Sequence, residues 1–218
     1  MPNTPTTLLI VDDEVSIRQA LSCAVTEAGY RVRSADGGFS ALREIRTEVP
    51  ELLLSDLNMP SMSGFELLSV VQRRFPAIRT IAMSGSFSGD EVPSGVAADA
   101  FFQKGCSVTA LLRIMERLPQ MERCMPQPSS SDSPLWIHSN TFDSSPDAYI
   151  TITCPECLRT FPQSLGTGYL KRKTECIYCQ SSIYYAVVQP GDRMPLQVFQ
   201  RKTSTVVRFP QRASTVNY

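Results

Sequence analysis

Apolar residues in the first half of the chain recur with two alternating periods. Thr7-Leu8-Leu9-Ile10-Val11 is an apolar run too short for a helix and suited to a buried strand. Val15, Ile17, Leu21, Ala24, Val25 and Ala28 then follow at helical spacing, and Gly29 closes that pattern. Tyr30 to Ser34 alternates as a second strand. Phe39, Leu42, Ile45 and Val49 mark a second helix, stopped by Pro50. Leu52-Leu53-Leu54 is a third strand. Phe65, Leu67, Leu68, Val71 and Phe75 mark a third helix ahead of Pro76. Thr80 to Met83 and Ala100 to Phe102 supply two more strands, and Val108 to Leu118 a last helix. Between Ser84 and Ala100 a helix is due, but Gly85, Gly89, Pro93 and Gly95 crowd the stretch and predict a short or irregular one.

Short apolar strands alternating with helices predict a doubly wound α/β fold, a five-stranded parallel sheet joined by right-handed crossovers, over residues 6–118. Residues 119–148, rich in Pro and Ser, read as a linker. A second, smaller module with alternating flanks reads over 149–189, and residues 190–218 form a basic tail. Charge divides the same way. Residues 149–218 hold nine Lys/Arg against three Asp/Glu, so an excess of six basic groups sits there and an equal acidic excess in residues 1–148. The two parts are therefore expected to meet different partners. The amino terminus lacks a signal-peptide pattern and no apolar run is long enough to span a bilayer, which predicts a cytoplasmic protein without membrane contact.

Ligands in doubly wound sheets sit beyond the carboxyl ends of the strands. Five polar residues fall there: Asp12 and Asp13 after the first strand, Asp56 after the third, Ser84 after the fourth and Lys104 after the fifth. Three carboxylates in one crevice call for a compensating cation, and an oxygen donor set suits Mg²⁺. A carboxylate can also act as the nucleophile that forms an aspartyl-phosphate. Taken singly, each acid could be a helix cap or turn residue; five at the ends of four strands point to a shared site.

These residues, as VDDE at 11–14, DLNMP at 56–60 followed by Gly64, then Ser84 and Lys104, resemble the receiver domain of bacterial two-component response regulators, which has a flavodoxin-like fold. The resemblance implies that Asp56 is the phosphoacceptor, with a histidine kinase as donor. It implies that Asp13, Asp56 and the backbone carbonyl of Asn58 ligate Mg²⁺, with Asp12 acting through metal-bound water. Ser84 and Lys104 would contact the phosphoryl group, and Phe101 matches an aromatic switch position. Such a protein is a regulator rather than an enzyme, transferring and losing only its own phosphoryl group. The family usually has Pro after the lysine, and here Gly105 predicts a more flexible loop. The Gly/Pro-rich stretch falls where the family builds its fourth helix, so an altered signalling face is expected.

In the second module Cys154 and Cys157 form one C-x-x-C pair, Cys176 and Cys179 another, with eighteen residues between the pairs. Four thiolates suit tetrahedral Zn²⁺, and the pattern looks like a zinc ribbon. A redox dithiol pair or a rubredoxin-type iron site would use the same residues. Ribbon turns often have Gly after the second Cys of each pair, whereas Leu158 and Gln180 stand there. The remaining three Cys of the seven are read as ordinary thiols, and His138 receives no ligand role. Lys171, Arg172 and Lys173 are candidates for contact with nucleic-acid phosphates. No helix-turn-helix pattern accompanies them, so an unidentified output protein is the first expectation and nucleic acid the alternative. A receiver-fold scaffold that never takes phosphate is the further rival.

Overall fold

The computed structural model describes residues 5–86, 96–120, 134–138, 149–164 and 172–188. The irregular helix expected after Ser84, most of residues 119–148, Lys171 and the basic tail fall outside the described residues.

Strands β1 (Thr7–Val11), β2 (Arg31–Ala35), β3 (Leu52–Asp56), β4 (Arg79–Ser84) and β5 (Ala100–Gln103) form one sheet in the order β2-β1-β3-β4-β5. Every pairing in it is parallel. Helices α1 (Val15–Glu27), α2 (Gly38–Thr47), α3 (Gly64–Arg74) and α4 (Val108–Arg117) join or follow the strands. Because side chains alternate along a strand, successive apolar residues serve opposite faces. Leu8, Ile10, Leu52, Leu54, Ile81 and Met83 meet α1 and α4, while Leu9, Val11, Leu53 and Ala82 meet α2 and α3. Burial on both faces explains why these strands read as continuous apolar runs.

The C-terminal module is built from short strands. Strands β7 (Tyr149–Thr153) and β8 (Thr160–Ser164) make an antiparallel hairpin. Strands β9 (Arg172–Glu175) and β10 (Ser182–Val188) make another, and β6 (Leu135–His138) adds to β10 in parallel. Strand β6 lies in the stretch read from its Pro and Ser content as a linker. Its apolar triplet Leu135-Trp136-Ile137 is fully used, since all three residues are buried.

What they are buried against is α3. Residues 64–71 of that helix are buried all round, as expected of a helix packed on two sides. One side lies on the sheet and the other carries the module. The Thr153 amide donates to Glu66 Oε1 at 2.9 Å, and the Trp136 amide donates to Ser69 Oγ at 3.4 Å. Arg73 Nε stands 3.8 Å from Glu156 Oε1. Positions 66, 69 and 73 follow one stripe of a helix, so a single face of α3 supplies all three anchors. A continuous apolar cluster runs from the sheet through Phe65 and Leu68 to Trp136, Ile152, Phe161, Ile183 and Tyr185.

The Glu66 carboxyl is the most demanding of these anchors. Burial pushes its pKa up from 4.5 to about 7, against the opposing pull of its hydrogen bonding to Thr153. Between those two values the folded chain retains a proton that the unfolded chain has lost. Stability therefore falls as pH rises through that window, by roughly 3 kcal/mol at most. Glu66→Gln keeps an acceptor for the Thr153 amide but has no proton to lose. Denaturant unfolding on either side of the window is expected to show a pH-dependent loss in the wild type that the glutamine variant lacks. Identical pH dependence in both proteins would remove Glu66 as its source.

Candidate functional site

Strand register assembles the site. Val11 is level with Ser55, Asp56 with Met83, and Ser84 with Gln103. Asp12, Asp56, Ser84 and Lys104 consequently reach the same edge within about one residue of each other. The edge lies where β1 sits between β2 and β3, which is where the winding reverses and a crevice opens.

Asp12 and Asp56 are buried, and so is Ser84, while Asp13 is exposed. Carboxylate oxygens of Asp12, Asp13 and Asp56 lie within 4.8 Å of one another. Lys104 Nζ bridges two of these acids, 2.8 Å from Asp12 Oδ2 and 2.9 Å from Asp56 Oδ2. Burial raises the pKa of Asp56, and the neighbouring Asp12 charge adds to that, while Lys104 pulls it down. Burial also works against the charge on Lys104, but the two carboxylates outweigh it and hold the ammonium above its ordinary value. Around this core the Glu14 amide donates to Asp12 Oδ1 at 2.8 Å, and the Ser86 amide donates to Ser84 Oγ at 3.1 Å. Asn58 Nδ2 donates to Ser86 Oγ at 3.4 Å. Three clustered carboxylates with one open side form the donor set of a hard divalent cation, and Lys104 supplies the balancing charge.

Two glycines shape the loops. A Cβ on Gly64 would stand 1.8 Å from the Asp56 carbonyl oxygen, so the first turn of α3 rests directly on the main chain of Asp56. Gly105, after Lys104, has φ +89°. Proline is locked near −65° and cannot take that conformation, so the chain leaves Lys104 by a route closed to the family's usual residue. Half-buried Phe101 packs against the cluster that contains α3 and the C-terminal module.

The four cysteines form a second constellation. Cys154 and Cys157 occupy the turn of the β7–β8 hairpin, and Cys176 and Cys179 that of the β9–β10 hairpin. All four Sγ atoms lie within 4.8 Å of one another. Cys154 Sγ is 3.6 Å from Cys179 Sγ, and Cys157 Sγ is 3.6 Å from Cys176 Sγ. Thiolates at about 2.3 Å from one tetrahedral ion stand roughly 3.8 Å apart, whereas a disulfide needs about 2.05 Å. The spacing therefore fits a shared soft cation. Burial pushes the Cys154 thiol up to about 12, so a nearby cation is what would keep it a thiolate. Cys179, by contrast, is exposed and is drawn down to about 6 by the Ser181 hydroxyl and amide.

The two turns are built alike. The Cys154 amide donates to the Arg159 carbonyl and the Leu158 amide to the Cys154 carbonyl, and Cys176, Ser181 and Gln180 repeat the pattern. Leu158 and Gln180 take φ +57° and +60°. These are the two positions where glycine would be at ease, and a side chain there costs about 1–2 kcal/mol. Of the basic trio, Arg172 and Lys173 lie on β9, and Lys173 Nζ sits 5.7 Å from the centroid of the Tyr184 ring.

Pattern reading missed Glu66, Ser69 and Arg73 as docking residues. Nothing in the helix itself distinguishes them from a solvated face. No helix among the described residues is long and apolar enough to cross a membrane.

Known proteins resemble the amino-terminal part of the chain. It is 29% identical over 139 residues to the DNA-binding transcriptional regulator NtrC of Proteus hauseri, covering 63% of this chain and 29% of that protein. It is 37% identical over 92 residues to the regulator of the same name from Klebsiella pneumoniae, covering 42% of this chain and 20% of that one. The chain thus spans less than a third of the length of these curated relatives. Among solved structures, NtrX from Brucella abortus aligns with TM-score 0.50 at 26% identity, over 53% of this chain and 27% of that one. Residues 8–116 match the sequence model of the response regulator receiver domain, and the chain belongs to that family.

Proposed function

We propose that this chain is the response regulator of a two-component phosphorelay, in which a histidine kinase donates a phosphoryl group to Asp56. Receiver domains of response regulators partner with such kinases. The observation that carries the assignment is the buried Asp56 carboxylate, with Lys104 Nζ 2.9 Å away and the Asp12 and Asp13 oxygens close beside it. Receiver domains use Mg²⁺ at an acidic site, and the donor set here fits it. Asp13, Asp56 and the Asn58 main-chain carbonyl would hold that ion, and Asp12 would act through its water. Bound there, Mg²⁺ supplies positive charge to the phosphoryl oxygens.

In the transfer, an Asp56 oxygen forms a bond to phosphorus as the donor's N–P bond breaks and its electron pair returns to the imidazole. Lys104 moves its hydrogen bonds from the two carboxylates to one phosphoryl oxygen, and the Ser84 hydroxyl donates to another. Phe101 follows as the aromatic switch. Water later hydrolyses the acyl phosphate, so the protein acts as a regulator and turns over nothing but its own phosphoryl group. A scaffold that never takes phosphate would have no need of two buried acids held by one lysine.

The same proposal gives the C-terminal module a zinc-ribbon site, with Zn²⁺ on Cys154, Cys157, Cys176 and Cys179. It also makes this module the output element, acting by contact with a partner protein. Ile177 and Tyr178 in the second cysteine turn are 66% and 49% exposed, which suits a protein contact. A nucleic-acid output is favoured instead by the cation–ring pairs Arg159–Tyr178 and Lys173–Tyr184, since basic and aromatic groups together suit backbone contact and base stacking.

A small phosphodonor such as acetyl phosphate, with Mg²⁺, is expected to add one hydroxylamine-labile phosphoryl group, seen by intact mass. Asp56→Asn is expected to abolish it, and normal labelling of that variant would refute the assignment. The protein is also expected to carry one Zn²⁺ per chain by elemental analysis. Cys176→Ser should lower Zn²⁺ affinity at least about tenfold, equivalent to about 1.4 kcal/mol. An unchanged affinity would place the metal elsewhere.

A further inference from the structure

We propose that Cys179 is a peroxide-reactive site: hydrogen peroxide oxidises it, Cys154 closes a disulfide with it across the two hairpins, and the Zn²⁺ of the four-cysteine site is released. The proposal rests on the reading of the cysteines as a Zn²⁺ site.

Access singles out the first sulfur. Which thiolate of a cluster an oxidant attacks follows exposure. Cys154 and Cys176 are 0% and 1% exposed, and Cys157 is half-buried. Cys179 alone of the four is exposed. It lies in the turn of the β9–β10 hairpin, where its neighbours Tyr178 and Gln180 are exposed as well. Ser181 Oγ stands 3.1 Å from the Cys179 sulfur, close enough to hold it in place by a hydrogen bond.

Distance singles out the second sulfur. Cys179 Sγ is 3.6 Å from Cys154 Sγ, and Cys157 and Cys176 form the other pair at that spacing. Both pairs run between the hairpins. The buried Cys154 is out of reach of most of the solvent but already beside Cys179, which is the position of a resolving thiol.

The chemistry closes with peroxide as the sole oxidant. The Cys179 thiolate attacks one peroxide oxygen, the O–O bond breaks, and the departing hydroxide takes a proton from solvent to become water. Cys179 is then a sulfenic acid. The Cys154 thiolate attacks its sulfur, the S–S bond forms, the S–O bond breaks, and a second hydroxide leaves and is protonated. Two thiolates have lost two electrons and one peroxide has gained them. Only the thiolate is a metal ligand, so Cys157 and Cys176 remain as half the set that a closed structural site requires. The disulfide now ties together the same two turns that the metal had tied.

Hydrogen peroxide is added stepwise to the zinc-loaded full chain with a chromophoric zinc indicator, and disulfides are mapped by mass spectrometry of alkylated peptides. Each equivalent is expected to release an equal amount of Zn²⁺ and to leave Cys154–Cys179 as the first new bond. Dimedone present during oxidation is expected to mark Cys179 and to spare Cys154 and Cys176. Dithiothreitol with added Zn²⁺ should restore the loaded state. Cys179→His keeps a metal ligand at the exposed position without a sulfur, and release should slow at least about tenfold. Cys23→Ser removes the other exposed thiol among the described residues and should leave release unchanged. Retention of Zn²⁺ through several equivalents overturns the proposal and leaves the metal reading intact. A first disulfide within either C-x-x-C turn, or release from Cys179→His at the wild-type rate, does the same. A chain that takes up no Zn²⁺ brings down the metal reading and the proposal with it.

Discussion

Helix α3 is buried on both sides, and most of what is unusual in this receiver depends on that. An amphipathic helix of an α/β sheet ordinarily gives one face to the strands and the other to water. Here the second face is taken by Trp136, Ile152 and their neighbours, so the sheet, the helix and the C-terminal module share one apolar cluster. Close approach at the helix start makes the arrangement stiff. With Gly64 resting on the Asp56 carbonyl, the helix cannot slide along its axis without moving the end of β3. The position of the module is thereby set by the strand that carries Asp56.

At the same edge of the sheet a second constraint is electrostatic. Asp12 and Asp56 are both buried, and two neighbouring carboxylates withdrawn from water repel each other. Lys104 meets both, and a single ammonium shared between two acids is a balance that an incoming cation or phosphoryl group must disturb. A site whose counter-charge is shared between two acids and whose residues end four different strands is suited to pass a local charge change into the sheet.

The sheet and its site were legible because two simple periods and a rule about strand ends sufficed. Apolar runs of strand length, interrupted by helical spacing, give parallel order, and parallel order brings Asp12, Asp56, Ser84 and Lys104 to one edge. The cysteine turns were legible for a similar reason, since a C-x-x-C pair must fold back on itself to present both sulfurs. Leu158 and Gln180 show how far that holds: the turn takes its left-handed position even where the residue resists it. The docking face was not legible. Glu66, Ser69 and Arg73 have the polarity and spacing of a solvated stripe, and helical periodicity says which residues share a face but not what that face meets. Likewise Leu135-Trp136-Ile137 is too short a run, within too polar a stretch, to reveal a strand before its partner β10 is placed beside it.

That legibility gap has a physical origin in the module itself. Two hairpins of about forty residues bury too little surface to fold alone, and small domains of this kind need a metal, a partner or both. Four cysteines fit the first requirement and α3 meets the second. The polar stripe on α3 is therefore the complement of a module that arrives later in the chain. A buried carboxyl such as Glu66 would be costly on its own, but as acceptor for the strand-end Thr153 amide it fixes where the hairpin must sit. Among the described residues, the exposed large apolar side chains include none from α3: Val15, Phe39 and Val49 lie elsewhere on the receiver, and Tyr149, Ile177 and Tyr178 belong to the module. Any partner reading the state of this protein through apolar contact at α3 would first have to displace the module, whereas the module's three side chains are already accessible. The module thus covers the outer face of α3 and offers exposed side chains of its own.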